Sequence, residues 1–195
     1  MIRTSTVLAA LTFAATVQAA GLAPTPPQPR GPFYPITFPK EADSDLTRYG
    51  GAQARGETIV VVGRLQRGDG TPVPGARVEI WQTNVHGRYH HEKDDSPAPL
   101  DPGFQGWGET RSDAQGNYRF QTVKPAAYSG RAPHIHFAVT LPGGRPFYTQ
   151  LYLADAAENA ADFLFGRLSA AEQQRLVVRP QGGPPATARF DIVLP

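Results

Sequence analysis

The run Arg131-Ala132-Pro133-His134-Ile135-His136-Phe137-Ala138-Val139-Thr140-Leu141 gives the clearest indication of the fold and of a site. In an extended strand, residues two apart project to the same side. His134 and His136 therefore share one face, and the alternating apolar side chains, which we expect in the core, share the other: Ile135, Phe137, Val139 and Leu141. Two imidazoles on one face are suited to binding a metal ion. The alternative at this point is that they are a pair of surface histidines on an outward face.

Similar β-type runs lie on both sides of this strand. Branched and aromatic residues concentrate at 59–65, 76–82, 118–123, 134–141, 147–153 and 188–194, with Gly, Pro, Asn and Asp between the runs. This spacing predicts an all-β fold, an antiparallel β-sandwich with one or two short helices. Ser169 and Glu172 have capping-box spacing for one helix, and 156–165 is a second candidate. Neither carries a ligand-like cluster, so we interpret both as structural.

Three parts of the chain differ in composition. Residues 1–20 have Arg3, a short apolar run at 7–17 and a small-residue cleavage site at Ala19 or Ala20, which predicts a signal peptide and export to the periplasm or the outside of the cell. The apolar run is too short to span a bilayer. Residues 21–56 are Pro-rich and predict an extended N-terminal arm. Residues 57–195 would form the sandwich domain.

Composition excludes several classes of function. The chain has 19 Lys and Arg against 17 Asp and Glu, for a formal net charge of +2, which is too small for a nucleic-acid partner. We expect no membrane association once the signal is removed. There is no cysteine, which excludes thiolate nucleophiles, disulfides and thiolate-bound metals. Any metal must therefore be held by nitrogen and oxygen donors.

A second cluster of candidate ligands is His86-Gly87-Arg88-Tyr89-His90-His91-Glu92-Lys93-Asp94-Asp95. It begins a long irregular stretch, 86–110, and loops of that length in compact domains are usually functional. A separate zinc site from His86, His90, His91 and Glu92 is one interpretation, but Gly87 and the absence of helical periodicity argue against it. Tyr89 is of more interest, because a phenolate suits a hard ferric ion.

In order along the chain, the sequence resembles the intradiol ring-cleavage dioxygenases, and particularly the iron-bearing β subunits of protocatechuate 3,4-dioxygenases. The similarity covers most of the predicted mature chain. Each matching segment is short, and the combination is specific. The segments are Gly31-Pro32-Phe33-Tyr34, Gly63-Arg64, Pro72-Val73-Pro74, Val78-Glu79-Ile80-Trp81-Gln82-Thr83-Asn84, Gly87-Arg88-Tyr89, Pro99-Leu100-Asp101-Pro102, Lys124-Pro125, Tyr128, Pro133-His134-Ile135-His136-Phe137, Thr149-Gln150-Leu151-Tyr152 and Arg189-Phe190-Asp191-Ile192-Val193-Leu194.

The resemblance implies one Fe(III) per chain, and cleavage of a catechol-type ring by O2 to a cis,cis-muconate-type dicarboxylate. Tyr89 and His134 match the equatorial ligands of that family, and Tyr128 and His136 match the axial pair. Among the catalytic residues, Tyr128 would also accept a proton from the substrate. Arg131 matches an arginine that stabilises charge on the bound aromatic, and Gln150 matches a polar residue of the same pocket. Tyr34 and Tyr152 would be wall or hydrogen-bonding groups.

The sequence departs from the family at one connection. Only Ser129 and Gly130 separate Tyr128 from Arg131, where the family has a longer loop containing Trp. The shorter connection implies a more open pocket, and we hypothesise tolerance of bulkier or more substituted catechols. Nothing in the sequence supplies an unlike subunit, so we expect a monomer or homodimer.

Two other classes of protein remain as alternatives. The segments 61–65 and 70–78 are also typical of the first hairpin in transthyretin-like or adhesin-type modules, which bind or space rather than catalyse. A zinc or copper hydrolase with His ligands is the third interpretation, but it lacks a recognisable catalytic carboxylate. Convergence of the four Tyr and His residues would separate the dioxygenase from the spacer module.

Overall fold

The computed structural model describes residues 21–195, so the signal peptide predicted for residues 1–20 lies outside the described residues. The regular secondary structure of these residues is mainly β-strand, with one α-helix. Its elements are β1 (Arg48–Tyr49), β2 (Ala52–Gln53), β3 (Thr58–Arg67), β4 (Arg77–Trp81), β5 (Trp107–Arg111), β6 (Asn117–Val123), β7 (His134–Thr140), β8 (Phe147–Leu153), α1 (Ala170–Leu176), β9 (Val177–Val178), β10 (Ala186–Arg189) and β11 (Ile192–Leu194).

Two main sheets form the predicted sandwich. In the first, β3 pairs antiparallel with β6 and parallel with β10 and then β11. The second has the order β5-β4-β7-β8-β9 and is antiparallel except at its β8–β9 edge. The prediction of a β-sandwich is confirmed, with parallel pairs that the sequence did not indicate. The strand predicted at 188–194 is two strands, because Asp191 leaves the ladder and accepts a hydrogen bond from the Arg64 backbone N–H at 2.9 Å.

The hydrophobic core takes one face of the second sheet. Ile135 and Phe137 of β7 are fully buried with Ile59 and Val61 of β3 in a single apolar cluster, as period-two alternation predicts. Burial of each such side chain contributes about 1.5–3 kcal/mol. The opposite face of β7 carries His134 and His136, so the core packing of this strand also fixes the direction of both imidazoles.

The N-terminal arm first runs along the edge of β8 that β7 does not occupy. The Gln28 backbone N–H donates to the Tyr148 carbonyl at 2.9 Å, and the Thr149 hydroxyl donates to the Pro26 carbonyl at 2.8 Å. Proline has no backbone N–H but keeps its carbonyl acceptor, and the contact with Thr149 uses the carbonyl of Pro26.

The arm then reaches the histidine-bearing face of the sheet. There the Gln150 side chain donates to the Pro29 carbonyl at 3.0 Å, and a Cβ on Gly31 would lie 3.1 Å from His136 Cε1. Further along the arm, β1 and β2 form a small separate hairpin.

The helical predictions were partly correct. Ser169 and Glu172 form the predicted capping box ahead of α1. The second candidate, 156–165, is helical only in part: it contains the 3-10 helix Ala157–Ala160, and a second 3-10 helix, Phe165–Arg167, begins at its last residue. Between them, the Asp162 carboxylate accepts the backbone N–H groups of Leu164 and Phe165, which offers this stretch an alternative to continuous helical hydrogen bonding. Within residues 21–195, no helix has both the length and the apolar character needed to span a bilayer.

Candidate metal centre

The register of three neighbouring strands brings the two histidines to one buried place. His136 lies opposite Trp81 of β4 on one side and opposite Gln150 of β8 on the other, while His134 pairs with Tyr152. His134 and His136 are 2% and 1% exposed, so they are not a surface pair. Their Nε2 atoms lie 3.1 Å apart. Two ring nitrogens therefore converge on one point.

Tyr89 adds a phenol oxygen to the same point. Its Oη lies 3.2 Å from His136 Nε2 and 3.5 Å from His134 Nε2. The residue comes from the long loop after β4, where the Asp94 carboxylate accepts the Tyr89 backbone N–H at 2.7 Å. This contact holds the loop in the conformation that directs the Tyr89 ring inward.

Tyr128 lies beside the other three residues. Its ring centroid is 5.1 Å from that of Tyr89 and 5.7 Å from that of His134. The short connection to Arg131 is a tight turn, in which Ser129 and Gly130 both have positive φ, 43° and 76°, and the backbones of Tyr128 and Arg131 hydrogen-bond to each other. Tyr128 is half-buried, and it is the most accessible of the four candidate ligands.

The donor set fits a metal ion. Bonds of about 2.1 Å to donors at right or tetrahedral angles place those donors roughly 3.0–3.4 Å apart. Two of the three distances among Tyr89 Oη and the two Nε2 atoms lie in this range, at 3.1 and 3.2 Å, and the third is slightly longer, at 3.5 Å. The His134 Nδ1 donates to the Ala132 carbonyl at 2.6 Å, so its Nε2 carries a free lone pair. In residues 21–195 no group of three His, Cys, Asp or Glu converges. A metal at this point therefore requires the phenols as ligands.

Burial keeps all these donors neutral in the folded chain. It lowers the pKa of His134 to about 3 and that of His136 well below its ordinary value, with the Arg131 charge acting in the same direction. Burial, followed by charge interaction and hydrogen bonding with Tyr128, raises the pKa of Tyr89 well above the usual value. A coordinated cation reverses this preference, because it binds the phenolate and the neutral imidazole. Phenolate oxygen and imidazole nitrogen suit ferric iron.

A polar network lies on the other side of Tyr128. Arg131 donates through Nη2 to Gln150 Oε1 at 2.7 Å and to the Tyr152 hydroxyl at 3.1 Å, and Gln150 in turn donates to the Pro29 carbonyl of the arm at 3.0 Å. Burial raises the pKa of Tyr152, which therefore stays a neutral phenol. Arg131 is thus a fixed cation next to the donor cluster, and Tyr152 is a hydrogen-bonding group.

Two contacts that the sequence did not indicate hold His136 in place. The Trp81 ring stacks on the imidazole at 4.8 Å between centroids and 5° from parallel. On the arm, Gly31 approaches so closely that a Cβ there would lie 3.1 Å from His136 Cε1, and its φ is +75°. Both residues fall inside segments of family resemblance, but only the strand register and the path of the arm show what they touch.

The remaining sequence candidates lie away from the donor cluster. His86 and His90 are exposed, and the His91 Nε2 lies 3.2 Å from the Tyr34 carbonyl. With Glu92 also exposed, the part of the chain that the structure describes does not bring this group together as a zinc site. Tyr34 donates to the buried Glu79 carboxylate at 2.7 Å and is a hydrogen-bonding group rather than a ligand.

A cavity of about 490 Å³ borders the cluster on its Tyr89 side. Its walls include Phe33, Phe38, Trp81 and Trp107, together with Tyr89 itself. Phe33, a residue of the arm, stacks on Tyr89 at 4.6 Å between centroids and so brings the arm against the donor cluster. Neither Arg131 nor Gln150 lines this cavity.

A β-sandwich with buried phenol and imidazole donors meeting on one sheet defines a candidate mononuclear metalloenzyme with Tyr and His ligands. Residues 30–194 match the protein family described as Dioxygenase, and the chain belongs to this family, that of the intradiol ring-cleavage dioxygenases.

Individual relatives agree with this membership. The chain is 39% identical over 167 residues to the protocatechuate 3,4-dioxygenase β chain of Burkholderia cepacia, covering 78% of this chain and 71% of the relative. It is 29% identical over 159 residues to the catechol 1,2-dioxygenase of Acinetobacter baylyi, covering 72% of this chain and half of that enzyme. Among solved structures, the dioxygenase domain of a dioxygenase and carbohydrate-binding fusion from Streptomyces sp. SirexAA-E is similar with a TM-score of 0.71 and 27% identity, covering 88% of this chain and 98% of the domain.

Proposed function

We propose that this chain is a non-haem ferric dioxygenase that cleaves a catechol ring between its two hydroxyl-bearing carbons and incorporates both atoms of O2 to give a cis,cis-muconate-type diacid. The observation that carries the proposal is the convergence of Tyr89 Oη with the Nε2 atoms of His134 and His136. One Fe(III) per chain would be held by these residues and Tyr128. Bound ferric iron would act as a Lewis acid that withdraws electron density from the catecholate ring and makes it reactive toward dioxygen.

Tyr128 is the phenol best suited to receive a substrate proton at its Oη. It is half-buried where Tyr89 is only 2% exposed, so an incoming catechol reaches it first. Burial raises the pKa of Tyr128 above its ordinary value, and hydrogen bonding from Tyr89 and the charge of Arg131 oppose that rise. Tyr128, which would accept the proton, is thus the phenol that has the Arg131 cation beside it.

Arg131 would bind and stabilise the negative charge that develops on the ring and its oxygens. Its guanidinium is always cationic, and a buried, preorganised cation is effective at stabilising charge as it develops. Its side chain is 7% exposed, and Gln150 and Tyr152 fix it from one edge. Gln150 would line the same pocket and link it to the arm through Pro29.

The short turn supports a proposal about the substrate. Ser129 and Gly130 are both exposed and connect Tyr128 directly to Arg131, so this connection adds no longer loop over the cluster. We infer that catechols with bulky or multiple ring substituents can enter there. Catechol-type compounds derived from plant phenolics have this chemistry.

Subunit number and location are part of the same proposal. All four candidate ligands come from one chain, so the donor set needs no unlike subunit, which supports a monomer or homodimer. The composition of residues 1–20 supports export. N-terminal sequencing of the protein recovered from outside the cytoplasm tests the export, and an unprocessed cytoplasmic product would contradict it.

The visible spectrum of the iron-loaded protein tests the proposed function. Tyrosinate bound to Fe(III) gives a broad red-brown charge-transfer band, and Tyr89→Phe and Tyr128→Phe should each alter it. Addition of catechol and O2 should then give the ring-opened diacid with equal consumption of both substrates. A colourless iron-loaded protein would contradict the proposal. A non-catalytic spacer module, the alternative from sequence, has no need of this buried donor set and is not favoured.

A further inference from the structure

We propose that Asp162 is a positioning residue that fixes the Arg131 guanidinium against the substrate site. The inference rests on the proposed function, because it assigns Asp162 a part in that reaction. Asp162 lies in the segment 156–165 that sequence patterns indicated as purely structural. The structure instead places its carboxylate directly on Arg131, at 2.8 Å from Nε.

The carboxylate of Asp162 accepts four hydrogen bonds from other residues of the chain. Oδ2 accepts from Arg131 Nε and from the Ala132 backbone N–H, both at 2.8 Å. Oδ1 accepts from the backbone N–H groups of Leu164 and Phe165 at 2.9 and 3.0 Å. Asp162 therefore ties the Arg131 side chain and the start of β7 to one fixed turn of backbone.

The burial of this ion pair indicates a role beyond stability. The side chains of Arg131 and Asp162 are 7% and 0% exposed, and no other ion pair in residues 21–195 has both partners so buried. Removing two charges from water is costly, and apolar side chains of similar volume stabilise a core as well or better. A buried pair at the edge of a donor cluster is explained if the cation is required there and the carboxylate keeps it in place.

The remaining contacts of Arg131 define what Asp162 orients. Gln150 and Tyr152 accept from Nη2, on a different nitrogen from the one that Asp162 binds. Phe163, the next residue after Asp162, covers the guanidinium from outside with its ring centroid 5.6 Å from Cζ. The hydrogen bonds to Nε and Nη2 and the Phe163 ring on one face fix the plane of the guanidinium. The group therefore cannot rotate away from Tyr128 and the substrate site.

Asp162→Asn removes the negative charge and one hydrogen-bond acceptor while keeping the size and shape of the side chain. The amide oxygen can keep Leu164 and Phe165, but the amide NH2 then faces the N–H groups of Arg131 and Ala132, which are also donors. We expect kcat/KM for catechol to fall about 10- to 100-fold, the usual effect of losing a partner behind a metal-site residue. Iron stoichiometry and the resting visible band should persist, while the spectral response to anaerobic catechol weakens. Asp162→Glu, which restores the charge, should recover part of the loss.

Asp101→Asn is the matched control. Asp101 is also buried and its carboxylate also accepts backbone N–H groups, those of Arg55 and Gly103, but it does not touch Arg131. A double-mutant cycle completes the test: Asp162→Asn should change kcat/KM little in an Arg131→Gln background. Parent-like kcat/KM in folded Asp162→Asn, or an equal loss in Asp101→Asn, would overturn the inference while leaving the proposed function intact. Absence of ring cleavage in the parent would overturn both.

Discussion

Trp81 and His136 face each other across neighbouring strands, with ring centroids 4.8 Å apart and planes 5° from parallel. The imidazole has one nitrogen in the donor cluster, and its buried Nδ1 has no hydrogen-bond partner among the described residues. A ligand ring is ordinarily oriented through its second nitrogen. Stacking on Trp81 therefore supplies the orientation that a hydrogen bond supplies for His134.

We predict that Trp81→Leu releases iron faster than the parent does. Loss of the stacked ring lets His136 rotate, and the iron dissociation rate into a chelator should rise about 10- to 100-fold. Trp107→Leu is the control, since Trp107 is equally buried in the same cluster but packs on Phe38 and Arg77 instead. Both variants should lose about 2–5 kcal/mol of unfolding free energy, as large core truncations do. Equal iron release from the two variants would refute the role of stacking.

We predict that Gly31→Ala disturbs the metal centre from the arm. The new methyl group would lie 3.1 Å from His136 Cε1, and φ of +75° is unfavourable for alanine by about 1–2 kcal/mol. Gly143→Ala carries the same backbone cost at φ +71° with no atom within 4 Å. Unfolding free energy should fall in both variants, and the tyrosinate band should shift only in Gly31→Ala. An unchanged band in Gly31→Ala would contradict close packing of the arm on His136.

We predict that the iron-free protein loses stability as the pH falls from about 6.5 toward 4. His134 and His136 have folded-state pKa values below the ordinary 6.5, so the unfolded chain binds more protons in this range and stability rises with pH. Each histidine adds a slope that approaches about 1.4 kcal/mol per pH unit. Urea unfolding at several pH values measures it. His134→Gln should reduce the slope, whereas His86→Gln, at an exposed position, should not.

We predict that the enzyme accepts bulky catechols and that Phe163 influences the selectivity. Phe163 is 55% exposed and lies against both Arg131 and Arg167, next to the short turn after Tyr128. Steady-state comparison of catechol, protocatechuate and larger catechols should show kcat/KM for the larger compounds at least equal to that for catechol. Phe163→Ala should change this ratio several-fold, whereas Leu22→Ala, which removes another exposed apolar side chain, should not. A strict preference of the parent for unsubstituted catechol would refute the prediction.

The sequence predicted the parts of the fold that depend on local pattern. Alternation along 134–141 placed Ile135 and Phe137 in the core and both histidines on the other face, because side-chain direction follows directly from the extended backbone. The parallel pairing of β10 and β11 with β3 was not predicted, since strand order depends on contacts between distant segments. Trp107–Arg111 was likewise not predicted as a strand, because Trp107-Gly108 resembles the irregular sequence before it.

The candidate site was predictable only in part. The His134 and His136 pair follows from spacing, and Tyr89 was a candidate from its cluster and from the fit of a phenolate to ferric iron. Tyr128 as a ligand came only from family resemblance, because no local pattern marks a tyrosine as a ligand. Asp162 had no signal at all: an Asp among alanines in 156–165 is typical of a surface helix. Its contact with Arg131 arises from the way the segment after β8 returns across the start of β7, which residue order alone does not show.

The pairing of β7 has a consequence for how this protein can fail. If β7 slipped by one residue against β4 and β8, every side chain along it would move to the other face of the sheet. The imidazoles would then point into the hydrophobic core, and Ile135 and Phe137 would point toward the metal site. No such misaligned form can keep a good core while losing the site, or the reverse. The register of β7 therefore determines both the packing of the core and the assembly of the site, and a chain that folds with the wrong register is also inactive.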